Sequence, residues 1–167
     1  MLLPAEPFGR PWLLDAAGPS LVACGEVLRL WAVRHIGVIS RTRSDRLGPL
    51  VVTGPFAGVR NPLYVGNLAI WTGFAVTAHM LWVALAIVVL VGLEYHAIVR
   101  WEESLLESRR AEEYRAYTMR VGRWRPRWDP AVAARGSFSW GDTFFSERGT
   151  LIAIGCGFLL LWLKQRA

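Results

Sequence analysis

Apolar residues in this chain fall in long runs, broken by clusters of cations. The clearest run lies between Arg60 and Arg100, where 39 residues carry one formal charge, Glu94. A membrane-crossing helix needs about 20 apolar residues at about 1.5 Å each. The run is therefore too long for one crossing and suits two. Its one polar interruption in the middle is Thr77-Ala78-His79. The pattern predicts a tight helical hairpin, residues 63–78 and 80–99. A third run, 149–163, stands between Arg148 and Lys164. Its 15 residues reach only about 22 Å, so it spans with the help of snorkelling cations or lies in the interface. A further run, 21–39, follows Gly18-Pro19-Ser20, which reads as a helix start. It contains Glu26, Arg29 and Arg34. Glu26 and Arg29 stand at i,i+3 and can pair. Charges inside a span face a bundle interior or one another.

Composition agrees with this pattern. The 167 residues are 53% hydrophobic and 19% charged, with net charge +6. Such a chain is neither disordered nor an ordinary water-soluble domain. The basic excess, set between apolar runs, reads as membrane-facing loops rather than a nucleic-acid surface. Cys24 and Cys156 lie far apart, and His35, His79 and His96 are scattered. No disulfide framework and no metal spacing results. Leu21-Val22-Ala23-Cys24 resembles a lipidation box but lacks a clean signal sequence before it.

The expected architecture is all-α: one integral membrane domain over residues 1–167, with four spans at 21–39, 63–78, 80–99 and 149–163. Arg41, Arg43, Arg46 and Arg60 follow the first span. Arg100, Arg109, Arg110, Arg115, Arg120, Arg123, Arg125, Arg127, Arg135 and Arg148 precede the last. The positive-inside rule then makes 40–62 and 100–148 cytoplasmic and puts both termini outside. The expected location is a bacterial inner membrane. Arg100 to Thr118 reads as one charged surface helix. The aromatic segment 127–148 reads as an interfacial stretch or a gate, with Trp124, Trp128 and Trp140 in an interfacial belt.

Two polar motifs stand at the cytoplasmic ends of the hairpin. The first runs from Gly54-Pro55-Phe56 to Arg60-Asn61-Pro62-Leu63-Tyr64-Val65-Gly66-Asn67. The second is Glu102-Glu103. Pro62 fits a first helical turn. Adjacent helical residues diverge by about 100°, so the two carboxylates cannot do the same work. An interfacial charge cluster is one reading. The other is a site for a zwitterion carrying a diol, such as S-adenosylmethionine. Arg60 would take its carboxylate, carboxylates its ammonium and hydroxyls, and an aromatic face its sulfonium.

Gly54-Pro55-Phe56…Arg60-Asn61-Pro62-x-Tyr64-x-Gly66 resembles the Gly-Pro-Tyr…Arg-His-Pro-x-Tyr-x-Gly signature of the isoprenylcysteine carboxyl methyltransferase and phospholipid methyltransferase superfamily. Glu102-Glu103-x-Leu105 is similar to its Glu-Glu-x-x-Leu element. Tyr114-x-x-Tyr117 followed by Val121-Gly122-Arg123-Trp124-Arg125-Pro126 is similar to its Tyr-x-x-Tyr…Val-x-Arg-Trp-x-Pro tail. The likeness covers residues 48–126. It implies an integral membrane enzyme that binds S-adenosylmethionine on the cytosolic side and admits a lipophilic acceptor laterally from the bilayer. The implied cofactor-binding residues are Arg60, Asn61, Pro62, Tyr64, Gly66, Glu102 and Glu103, and the implied catalytic residues are Arg60, Asn61 and Tyr64. No metal and no nucleic acid is implied. Asn61 stands where the family has His, and Asn cannot exchange a proton near neutral pH. Arg110-Ala111 stands where it has Phe-Gly, which puts the local turn in question. Two other functions share the fold: a non-catalytic membrane subunit and a membrane reductase.

Overall fold

The computed structural model describes residues 11–37, 50–127, 130–134 and 136–166. The expected end of the first span at Ile39, the cations Arg41, Arg43, Arg46 and Arg135, and Trp128 lie outside these residues. Six α-helices are described: α1 Pro11–Ile36, α2 Pro55–Gly58, α3 Pro62–Thr77, α4 Leu81–Arg109, α5 Ala111–Arg120 and α6 Trp140–Arg166. A 3-10 turn covers Pro130–Ala133. No strand occurs among the described residues, as the apolar runs require.

The hairpin forms where the sequence breaks. α3 ends at Thr77, and the chain turns through Ala78, His79 and Met80 before α4 begins. His79 takes the left-handed backbone conformation, φ 57°. Its Nε2 lies 2.8 Å from Asp15 Oδ1, tying this turn to the start of α1.

Three elements differ from expectation. α1 does not start at Gly18-Pro19-Ser20. It begins by Pro11 and carries Pro19 in its interior. Proline clashes with the Cβ of the residue before it in a helix; Gly18 has none. α6 begins nine residues before the expected span, capped by Ser139. The Ser139 hydroxyl donates to Asp142 Oδ2 at 2.6 Å and accepts the Asp142 backbone N–H at 3.1 Å. With 27 residues it has ample length to cross, so residues 140–148 of the stretch read as interfacial or a gate are the first turns of that helix. Finally, Arg100 to Thr118 is not one helix. α4 carries Trp101 to Arg109 as its own extension, and the chain bends at Arg110, φ −141° and ψ 47°. The break between α4 and α5 therefore falls at Arg110-Ala111, where the family has Phe-Gly.

By length and composition, three described helices can cross a membrane: Leu13–Ile36, Leu81–Arg109 and Trp140–Arg166. The expected fourth, α3, has 16 residues, about 24 Å against a hydrocarbon core of about 30 Å. It is the inner helix, packed against both α1 and α4, while α6 leans on α1. Gly25 and Gly66 make the α1–α3 contact close. A Cβ on Gly25 would lie 2.7 Å from the Gly66 carbonyl oxygen, and one on Gly66 would lie 2.8 Å from that of Gly25. Small residues at such crossings let helix backbones approach where no water drives them together.

The buried polar groups of the bundle converge on Arg29. Its guanidinium donates to Asn67 Oδ1 on α3 and to Glu147 Oε2 on α6 at 2.5 Å, and lies 3.7 Å from Glu26. The pair expected from i,i+3 spacing is thus the longest contact of a three-helix hub. Glu147 is 1% exposed. It had no periodic signal, because it sits among polar residues just before the apolar run.

Candidate active site

Gly54 opens the first motif in the left-handed region, φ 61°. The His35 ring of α1 occupies the space its Cβ would take, and the His35 Nδ1 lies 3.1 Å from Thr53 Oγ1. Glycine is thereby required twice, by φ and by room. α2 follows, and Pro62 begins α3 at its first turn. Between them the extended residues 59–60 pair with the tail after α5. The Arg60 N–H donates to the Gly122 carbonyl at 3.0 Å, and the Arg127 N–H to that of Gly58 at 2.8 Å. The Asn61 Nδ2 donates to the Arg123 carbonyl at 3.3 Å. Asn61 therefore joins the two motif segments by a neutral hydrogen bond.

The side chains meet across this pairing. Arg60 Nη1 lies 3.2 Å from Glu103 Oε1 and donates to the Tyr114 hydroxyl at 3.2 Å. Arg123 grips the same carboxylate from the other side, Nε at 2.9 Å and Nη2 at 2.5 Å from Oε2. Glu102, one residue earlier, accepts the Tyr64 hydroxyl at 2.8 Å. The two carboxylates thus part company as helical geometry demands, Glu103 inward to two guanidinia and Glu102 toward Tyr64. Pro62 and Gly66 hold the backbone of the first turns of α3 and are buried. All seven expected site residues therefore lie at one end of the α3–α4 hairpin.

α5 closes this end. Tyr114, Tyr117 and Val121 form a buried cluster against Leu50, Val52 and Leu106. The apolar face of α5 is thus made by tyrosines and not by Met119, which is exposed. The Tyr117 hydroxyl donates to the Phe56 carbonyl at 2.6 Å. Burial, with the Glu103 charge adding to it, pushes the Tyr114 hydroxyl up to about 12. Burial likewise raises Tyr117 far above the ordinary phenol range. Both are neutral at working pH, Tyr117 donating to Phe56 and Tyr114 accepting from Arg60. The hydrogen bond to Glu103 raises the Arg123 guanidinium further above its ordinary value.

The Nε of Arg60 is buried and has no hydrogen-bond partner among the described residues. A buried guanidinium N–H without an acceptor is costly, and a ligand carboxylate satisfies it in the way a planar fork prefers. The donor set suits the zwitterion inferred from the sequence.

The phospholipid methyltransferase family profile matches residues 14–111. The chain belongs to that family. The match takes in α1 to α4, hence the hairpin, the Arg60 motif and both carboxylates. The nickel-cobalt-cadmium resistance protein NccN of Alcaligenes xylosoxydans xylosoxydans is 32% identical over 106 residues, 64% of this chain and 46% of that protein. The chain thus spans about half the length of that relative. No solved structure matches it.

Several participants carried no assigned role in the sequence. Arg123 and Tyr114 lie in the quoted tail, yet spacing alone does not say that they reach Glu103. Trp124 donates its indole N–H to His96 Nδ1 at 3.2 Å. Tyr95 packs its ring on Tyr64, centroids 4.8 Å apart. Tyr95 and His96 follow Glu94, the one charge of the hairpin, and that adjacency was the available signal. Trp140 caps the guanidinium of Arg34 at 4.3 Å and packs on Phe144.

Proposed function

We propose that this protein transfers a methyl group from S-adenosylmethionine to a lipophilic acceptor at the cytoplasmic membrane face. The observation that carries the reading is the cluster at the head of the hairpin: a buried arginine with an unsatisfied N–H beside two carboxylates that face different partners. Arg60 would hold the cofactor carboxylate. Glu102 would take its ammonium or diol, and Asn61, Pro62 and Gly66 would shape the backbone against it. The cofactor supplies an electrophilic methyl group on a sulfonium, which leaves as the thioether when the acceptor lone pair forms the new bond. The residues named here bind, orient and exclude water. Tyr64, fixed by Glu102, orients the reacting groups. Asn61 takes no proton.

The proposed setting is a bacterial inner membrane, with residues 40–62 and 100–148 in the cytoplasm, except that 140–148 form the inner end of a spanning helix. Both termini lie outside, and the short α3 crosses as the inner helix of the bundle. The bilayer and a laterally admitted acceptor are the partners. The metal resistance in the relative's name is said of that protein alone and is not carried over.

Calorimetric titration of adenosylhomocysteine into detergent-purified protein tests the reading. Saturable heat with thermal stabilisation supports it. No response to adenosylhomocysteine, with a clear response to NADPH, makes the protein a reductase. No response to either makes it a non-catalytic subunit.

A further inference from the structure

The stretch from Arg120 to Arg127 contains Arg120, Arg123, Arg125 and Arg127 and no acidic residue. Arg123 is spent on Glu103. The other three are exposed. The ion pairs at this end of the bundle join Arg60 and Arg123 to Glu103, Arg110 to Glu113 at 3.0 Å and Arg115 to Glu107 at 3.4 Å. None of these takes in Arg120, Arg125 or Arg127. The Nε of Arg120 reaches only the Ala116 carbonyl, at 3.4 Å. The exposed helix cations Arg110 and Arg115 are thus answered by carboxylates, and those of the tail after α5 are not.

The same tail lies at the edge of the bilayer. Its Trp124 donates to His96 of α4 at 3.2 Å. His96 stands about one turn inside Arg100-Trp101, where the outer face of α4 changes character. Leu85, Leu90 and Leu93 are exposed before that point, and Arg100 and Trp101 are exposed at it. An exposed tryptophan beside an exposed cation, at the end of an apolar face, marks the interface on a spanning helix. The tail is also pinned at this level. The Arg60 N–H holds the Gly122 carbonyl, and the Arg127 N–H holds that of Gly58. Unanswered guanidinia on a fixed segment at headgroup depth attract anionic lipid, and a guanidinium takes phosphate oxygens in a planar fork.

We propose that Arg120, Arg125 and Arg127 form a docking surface for the headgroup of an anionic phospholipid, a phosphodiester with a net negative charge. The bound lipid bears on the segment that carries Arg123, and through Arg123 on Glu103. The inference does not depend on the methyltransferase reading.

The experiment titrates phosphatidylglycerol or phosphatidylcholine of equal chain length into full-length protein in an uncharged detergent. Native mass spectrometry counts the bound lipid. The wild type should bind phosphatidylglycerol at least about fivefold tighter than phosphatidylcholine at low salt. Arg125→Gln with Arg127→Gln should bring the two lipids within about twofold of each other. Arg110→Gln with Arg115→Gln removes the same formal charge from the paired cations and should keep the wild-type preference. Raising salt to about 1 M, where charges are screened beyond about 3 Å, should abolish the preference in the wild type. A wild type that does not distinguish the lipids, or distinguishes them equally well at high salt, overturns the proposal. So does a preference kept in the Arg125–Arg127 variant, or lost equally in the Arg110–Arg115 variant, which would make net charge the cause. Glycerol phosphate that displaces phosphatidylglycerol at equal concentration overturns the lipid as the occupant and leaves a site for a soluble anion.

Discussion

Replacing Glu103 by Gln separates the two carboxylates. Glu103 is 9% exposed and neutralises Arg60 at 3.2 Å and Arg123 at 2.5 Å. Removing one partner of a buried ion pair costs about 3–5 kcal/mol, because a charge is left without compensation. Gln retains the volume and one acceptor. Arg123 is about a third exposed and sheds part of its charge into water, whereas the Arg60 side chain, 13% exposed, cannot. The expected loss is therefore nearer 2–3 kcal/mol, a fall in melting temperature of about 5–10 °C for a chain of this length. Glu102→Gln weakens one hydrogen bond from Tyr64 and should cost about 1 kcal/mol. Binding should show the reverse order. Glu102 faces Tyr64 at the head of the hairpin and is the carboxylate assigned to the cofactor, so its variant should weaken adenosylhomocysteine about ten- to a hundredfold. Thermal melts and calorimetric titrations of wild type and both variants in one detergent provide the comparison. Coincident melts for the two variants would refute the clamp. Wild-type affinity in both, with folding intact, would place the cofactor elsewhere.

Tyr117→Phe leaves the Phe56 carbonyl without its buried donor and should destabilise by about 1–3 kcal/mol; a melt unchanged within error contradicts the packing of α5 on the first motif. The raised Tyr114 hydroxyl means the folded state favours the neutral phenol, so its stabilising share is complete below pH about 10 and is lost as pH rises through about 12. An ultraviolet titration of Tyr114→Phe against wild type should lack a phenol that ionises above the ordinary range; loss of one that ionises near pH 10 would count against that environment. Gly54→Ala forces a left-handed alanine into the His35 ring and should cost at least about 1–2 kcal/mol, read as a lower melting temperature. A single cysteine at Ser137, in a chain without Cys24 and Cys156, should react with an impermeant reagent only after the cells are opened; labelling of intact cells reverses the proposed topology.

The hairpin was legible because a membrane span needs a long uncharged run and its turn needs a polar break, and both are one-dimensional. The seven candidate site residues were named through a resemblance, and their gathering at one end of the hairpin follows from its short turn. The start of α1 was missed because a Gly-Pro pair reads as a boundary from propensity alone, whereas Gly18 removes the clash that proline creates. α6 was read too short because apolar length was counted without the polar turns that Ser139 caps. The Arg29 hub was half seen: spacing offered Glu26, but Glu147 and Asn67 arrive from other helices, and no periodicity connects residues 118 and 38 positions away. The division of labour between Glu102 and Glu103 was expected from helical angle, yet which of them faces the arginines depends on the tail bringing in Arg123.

α4 is unbroken from Leu81 to Arg109, so the carboxylates are not carried on a loop. They sit at the far end of a rigid rod, Glu103 about 33 Å along it from Leu81. A bilayer that thickens or thins makes its spans tilt. A tilt of about 5° about the outer end would carry Glu103 sideways by about 3 Å, which is the length of the bonds that hold it to Arg60 and Arg123. Arg60 and Arg123 stand on the two paired segments outside α4. The contacts of Glu103 with both cations therefore depend on how this rod is seated against those segments, and a change of tilt that the segments did not share would break them.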